Sequence, residues 1–384
     1  MNYNRPYKNN STMGIRLMCA IVFVIFSFGW LYFFQQDLLA MAQHVLSGGV
    51  THYNRLVGAL LITLVLFILQ MVVYGVTQLK RRAYALTYGP SMLLLGIITD
   101  VSQGDGGGLT RETSWWLILL LAVVWGVLVL LARVLQEVEE KDEVTLFSRS
   151  MLYNMVVMTL LMMCVAWISN TNAVFHYRMK AEQCLLDGDA AGALQAGRRS
   201  LEGDEHLLML RMYALAREGQ LGEHLFEFPV TGNSSQMLPT DSLSQMMMYP
   251  VDSLYKFIGA RPVGRMSPVR YLQLVERRDT VVNKTVGDYL LCASLIDRQL
   301  DRFVAMLGRY YAIDDHLPKH YREALTLYTH LRSHPLVVYH NSVMDEDYAN
   351  LTELERQYAD ETERKGKVEE QYRGTYWYYY RYGQ

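Results

Sequence analysis

The stretch Leu56-Val-Gly-Ala-Leu-Leu-Ile-Thr-Leu-Val-Leu-Phe-Ile-Leu-Gln70-Met-Val-Val-Tyr-Gly-Val-Thr-Gln-Leu79 runs for 24 residues without a charge. At 1.5 Å per residue, a helix of that length covers the roughly 30 Å hydrocarbon core of a bilayer. Residues 15–34 carry only Arg16, at their start, and residues 115–132 and 150–169 carry no charge. Trp30, Tyr32, Trp115, Trp116 and Trp167 fall near the ends of these runs, where aromatic belts form. Four transmembrane helices are therefore expected. A cleaved signal peptide is a poor reading of the first run, which is long, ends in aromatic residues and lacks a small-residue cleavage pattern.

A fifth tract, 83–99, is apolar but short, with Gly89-Pro90 inside it and Asp100 at its end. A re-entrant or interfacial segment would also fit, and charge placement weighs between the two. With five spans and a cytoplasmic N-terminus, the inner segments hold Arg5, Lys8, Arg16, Lys80, Arg81, Arg82, Arg133, Lys141 and Arg149, and the outer ones hold Arg55 and Arg111. Four spans would move Arg111 inside and Arg133, Lys141 and Arg149 outside. The positive-inside rule prefers five spans, which puts everything after residue 170 outside the cytoplasm.

The chain averages 51% hydrophobic and 19% charged residues with a net charge of −2, which by itself resembles a soluble protein. Yet only 20 of its charged residues precede residue 170. No basic face suited to a phosphate backbone stands out, so nucleic acid is not an expected partner. No ionisable side chain lies near the middle of a span, which argues against a secondary transporter. Gln70 and Asn154 are the most polar central residues and are expected to hydrogen-bond neighbouring helices. Gly104-Asp-Gly-Gly-Gly108 lacks the preceding strand and following Lys-Ser/Thr of a phosphate loop and reads as a flexible connection. Glu137–Glu143 reads as a solvated helix extension.

From Asn170 onward the pattern becomes amphipathic and helical. Tyr177–Leu186 leads to Asp187-Gly188-Asp189, Ala190–Leu201 follows, and Glu205–Arg217 leads to Glu218-Gly219-Gln220. Gly188 and Gly219 hold the same place between paired helices, with Tyr177/Ala181 and Tyr213/Ala216 before them. A third pair is expected around Asp297-Arg298-Gln299, and another helix from Leu317-Pro318-Lys319 to His330. This resembles tetratricopeptide-type repeats, with the consensus Trp missing. An irregular all-α bundle is the alternative. Strand character is confined to Leu336–Tyr339. The last segment ends in Tyr372-Arg-Gly-Thr-Tyr-Trp-Tyr-Tyr-Tyr-Arg-Tyr382, whose aromatic surface is expected to pack back on the domain or along the membrane.

Sites of chemistry are sparse. His316/His320 and His330/His334 have a metal-compatible spacing of four, but Pro318 and Pro335 interrupt them and no carboxylate stands at ligand spacing. Cys19, Cys164, Cys184 and Cys292 show no CxxC spacing; Cys184 and Cys292 read as buried thiols, with a single disulfide between them left open. No catalytic, cofactor-binding or metal-binding residue is assigned.

The whole layout resembles uncharacterised bacterial inner-membrane proteins of unknown function, multi-pass and ending in a tetratricopeptide-like helical region. The resemblance rests on Tyr84-Ala-Leu-Thr-Tyr-Gly-Pro90-Ser-Met-Leu-Leu-Leu, on Leu317-Pro318 leading into Tyr321-Arg-Glu-Ala-Leu-Thr-Leu-Tyr328, and on Thr375-Tyr-Trp-Tyr. It implies no activity. The expected fold is all-α. It comprises a cytoplasmic tail (1–14), a transmembrane domain (15–169, with spans near 15–34, 56–79, 83–99, 115–135 and 150–169), a tetratricopeptide-like domain (170–344) and a C-terminal helix with a Tyr/Trp-rich tail (345–384). The expected role is a scaffold, in contact with the lipid bilayer and with another envelope protein or peptide. The alternative is a membrane-embedded enzyme or transport accessory with a surface site near Asp100, Arg111 and Glu112.

Overall fold

The computed structural model describes residues 11–104, 108–136, 149–239, 246–259, 261–262, 266–278 and 283–383. Most of the tail 1–14 and all of the acidic run 137–143 lie outside these residues. The chain is all-α and divides into two compact units, residues 1–172 and 173–384.

The first unit contains α1 (Ser11–Gly29), which continues as a π-helix over Trp30–Phe34, then α2 (Gln36–Leu46) and α3 (Arg55–Thr77). A 3-10 helix (Arg81–Tyr88) runs into α4 (Gly89–Thr99), followed by α5 (Trp115–Gln136) and α6 (Arg149–Ile168). Four helices, Met13–Phe34, Arg55–Thr77, Trp115–Leu135 and Arg149–Ile168, are long and apolar enough to cross a membrane. Only 6% of the α5 window is buried within the chain, against 22% for each of the others, so α5 meets its surroundings on nearly every side.

The segment 81–99 follows α6 from end to end. Near its start, the Asn154 side chain accepts a hydrogen bond from Ala85 N–H (2.7 Å) and donates to the Arg81 and Ser150 carbonyls (both 2.7 Å). At its finish, the Thr99 and Ser169 hydroxyls lie 2.7 Å apart, and Asn170 N–H donates to the Thr99 carbonyl (3.0 Å). Pro90 explains the change of helix type. It offers no N–H to the carbonyl four residues back, that of Leu86. That oxygen instead accepts the 3-10 bond from Gly89 N–H and a bond from Trp125 Nε1–H (2.8 Å). Gly89 is required here, because a Cβ on it would sit 2.3 Å from the Trp125 ring.

Gln70 donates to the Tyr84 hydroxyl (3.3 Å) and to Thr87 Oγ1 (3.0 Å). Both central amides thus bind neighbouring segments, as lipid requires of polar groups that have no water to turn to.

The second unit begins with α7 (Ala173–Leu186), α8 (Ala190–Gln195), α9 (Glu205–Glu218) and the short α10 (Leu221–His224). It continues through α11 (Val251–Ile258), α12 (Pro268–Arg278), α13 (Lys284–Ile296), α14 (Leu300–Tyr310) and α15 (Lys319–Leu331). It closes with α16 (Ser342–Gln357), α17 (Glu361–Tyr372) and α18 (Tyr376–Tyr382), all gathered on one hydrophobic core. α7, α9 and α13 end in the same way. Asp189, Gln220 and Gln299 N–H each donate at 2.8 Å to the carbonyl five residues back, around a left-handed Gly188, Gly219 or Arg298. This is the Schellman ending, and glycine normally fills its left-handed position.

The sequence expectation for strands needs two corrections. Residues 336–339 form no strand: Leu336 N–H donates to the Tyr328 hydroxyl and Tyr339 N–H to Thr329 Oγ1, so side chains satisfy that backbone. The strands present among the described residues are β1 (Ser102–Gln103) and β2 (Leu109–Thr110), paired antiparallel around the glycine-rich loop. Of that loop, residues 105–107 lie outside the described residues.

Candidate functional site

In the membrane unit, Asp100 and Arg111 line one hollow at the end where α4 and α6 finish. Asp100 is fully buried. Its Oδ1 accepts from Glu112 N–H (3.2 Å) and its Oδ2 from Thr113 N–H (3.1 Å), just ahead of α5. Thr113 Oγ1 donates to the Ile168 carbonyl, and Gln35 Nε2 to that of Asn170. The carboxylate therefore works as a structural clamp on the turn into α5. Glu112 contributes its backbone, and its side chain is exposed.

The histidines separate. His320 is buried with its Nδ1 2.9 Å from Glu323 Oε2, while its Nε2 accepts from Phe226 N–H (3.2 Å). An accepting Nε2 leaves the proton on Nδ1, so the neutral ring donates to Glu323. Glu323 Oε2 also accepts from Tyr376 N–H (2.6 Å), and its backbone carbonyl accepts from Trp377 Nε1–H (2.7 Å). The aromatic tail is thereby fastened into the domain, with Tyr376, Trp377 and Tyr379 buried. His330 instead stacks on Tyr348. Among the described residues, no three His, Cys, Asp or Glu side chains gather in a way that would hold a metal.

All four cysteines are free thiols. Cys292 Sγ lies 3.6 Å from the Tyr321 hydroxyl, and burial pushes its pKa up, which favours the thiol over the thiolate. Beside it, Asp288 Oδ1 accepts from Tyr311 (2.6 Å) and Tyr321 (3.0 Å). Burial raises the Asp288 pKa above the ordinary aspartate range, and the two hydroxyls act in the opposite direction. Glu182 is likewise raised by burial, while its Oε2 accepts from Met248 N–H (2.6 Å) and Tyr249 N–H (3.2 Å).

The helical domain carries a cleft of about 240 Å³ between residues 226–230 and the α17–α18 corner. Phe226, Phe228, Tyr378, Tyr379 and Tyr382 supply its aromatic surface, with Glu227, Lys365, Glu369 and Arg373 among its charged residues. Tyr378 and Tyr382 stack at 5.8 Å. Burial and the neighbouring Glu369 push the Tyr378 pKa up to about 12. The cavity is smaller than the roughly 300–1,000 Å³ of small-molecule pockets. Sequence reading singled out the tyrosines but missed the cleft, because residues 226–230 and 365–383 are far apart in the chain.

Residues 273–383 match the profile of a family of unknown function (DUF6057), a stretch that takes in most of the cleft and the whole Glu323 lock. No curated protein and no solved structure matches the chain.

Proposed function

We propose that this chain is a membrane-anchored interaction protein: five spans hold a tetratricopeptide-like domain outside the cytoplasm, where its cleft takes a segment of another envelope protein. The observation that carries this reading is the cleft at Glu227, Lys365, Arg373 and Tyr378, lined by aromatic residues and by charges of both signs, and below the usual size of small-molecule pockets. The three Schellman-ended helices support the repeat-like character. The fifth span is supported by segment 81–99, whose ends pair with both ends of α6. Eight 3-10 residues at about 2.0 Å and eleven α residues at about 1.5 Å reach about 32 Å, enough for a hydrocarbon core.

A photo-crosslinking residue at Tyr378 or Arg373, introduced in the full-length chain in its native membrane, is expected to yield one discrete adduct. The same residue at exposed Arg356 on α16 is expected to yield none. Equal adducts from all three positions would sink the cleft assignment. Reporter fusions after residues 110, 142 and 384 test the topology, and a cytoplasmic signal at 384 would overturn it. The alternative of a surface active site at Asp100 is disfavoured, because both carboxylate oxygens already serve backbone N–H groups.

A further inference from the structure

The hollow beside Asp100 measures about 760 Å³, within the usual range for a bound ligand. α2 turns one stripe towards it, Leu39, Ala42 and Leu46 at helical spacing, while Leu38 and Met41 are buried on another face. Ile62 lines it too, seven residues inside α3 and so about 10 Å below the start of that helix. An apolar recess at that depth, beside spans that meet hydrocarbon, has lipid chains as its solvent. The rim is polar and unequal in charge. Asp100 has both oxygens engaged by backbone N–H groups. Arg111 is exposed and makes no ion pair among the described residues.

We propose that this hollow binds one acyl chain of an acidic membrane lipid, with the headgroup against Arg111. The chain lies along the α2 stripe and Ile62, in the leaflet on the side where α6 ends. A zwitterionic headgroup would leave the guanidinium without a net counter-charge, which is why the acidic class is favoured.

The test uses the full-length protein in nanodiscs of phosphatidylcholine doped with phosphatidylglycerol bearing a diazirine on its acyl chain. Labelling of residues 39–47 and 96–101 is expected to exceed that of the exposed α5 residues Leu119, Leu120, Val123, Val127, Leu130 and Leu131 about tenfold, a 1.4 kcal/mol preference. Ala42→Trp, which fills the recess, is expected to remove that excess and to leave the α5 labelling in place. Equal labelling of the three regions, or an excess that survives Ala42→Trp, overturns the site. Arg111→Gln, at an exposed position, keeps the headgroup claim testable if the tryptophan variant does not fold. It is expected to reduce the preference for phosphatidylglycerol over an equally labelled phosphatidylcholine about tenfold, the size of one charge-assisted hydrogen bond. An unchanged preference overturns the acidic headgroup.

Discussion

The two units handle buried polarity in opposite ways. In the membrane unit the buried polar groups at its helix contacts are chiefly neutral: Asn154, Gln70, Ser91 and Thr99 bind backbone or hydroxyls of adjacent segments. In the helical domain most of them are charged or titratable, and several fasten the irregular chain. Glu182 holds residues 248–249, Arg211 binds the Ala196 and Gly197 carbonyls, and Glu323 holds the last helix. The contrast follows from the solvent. In lipid no hydrophobic force presses helices together, so modest amide bonds and close packing do the joining, and a charge is too costly. A water-facing domain has a large apolar core, whose burial offsets the desolvation of a few charges.

Four perturbations probe this contrast, from the largest expected effect to the smallest. Glu323→Ala leaves His320 Nδ1–H and Tyr376 N–H buried without an acceptor. Two such donors cost about 1–3 kcal/mol each, so a loss of about 3 kcal/mol or more is expected in urea unfolding. Glu323→Gln, which keeps an acceptor oxygen, should lose clearly less; equal losses would mean that the lock is only packing. Asn154→Leu removes three hydrogen bonds from the membrane unit, yet the expected loss is only about 1–2 kcal/mol. A loss as large as that of Glu323→Ala, measured by unfolding in detergent, would erase the distinction drawn between the units.

Asp288→Asn tests charge directly. Its folded pKa is raised by burial, so its favourable contribution is complete at pH values below the unfolded aspartate pKa and declines as pH rises through the raised folded value. The wild type should lose stability over that interval with a slope no steeper than about 1.4 kcal/mol per pH unit. The asparagine variant, still able to accept from Tyr311 and Tyr321, should lack this component; parallel pH profiles would count against it. The smallest effect concerns Arg298, left-handed at φ +56° where Gly188 and Gly219 stand in the sister turns. Its guanidinium binds the Tyr379 and Gly383 carbonyls of the C-terminal helix. Alanine there keeps the strain and loses the bonds, whereas glycine loses only the bonds. Arg298→Gly should therefore be about 1 kcal/mol more stable than Arg298→Ala.

Much of the helical layout was legible in the sequence. Leu56–Leu79 betrayed a membrane helix by length and absence of charge, and Gly188 and Gly219 marked two helix ends, because only glycine takes that conformation cheaply. The third turn was expected at Asp297-Arg298-Gln299 and is found there, but nothing marked Arg298 as its left-handed residue, since an arginine carries no conformational signal. The clamp role of Asp100 was equally hidden: its partners are N–H groups, which every residue but proline possesses. The cleft escaped notice for a third reason. Its tyrosines were conspicuous, but the edge formed by Phe226–Val230 has no local pattern that pairs it with α17 and α18.

The 3-10 stretch Arg81–Tyr88 has a consequence for the reach of its segment. Rewinding those eight residues as α-helix would shorten the segment by about 4 Å, since each residue would rise about 1.5 Å in place of about 2.0 Å. The Leu86 carbonyl, passed over by Pro90 and taken up by Gly89 N–H and the Trp125 indole, holds the segment at that greater length.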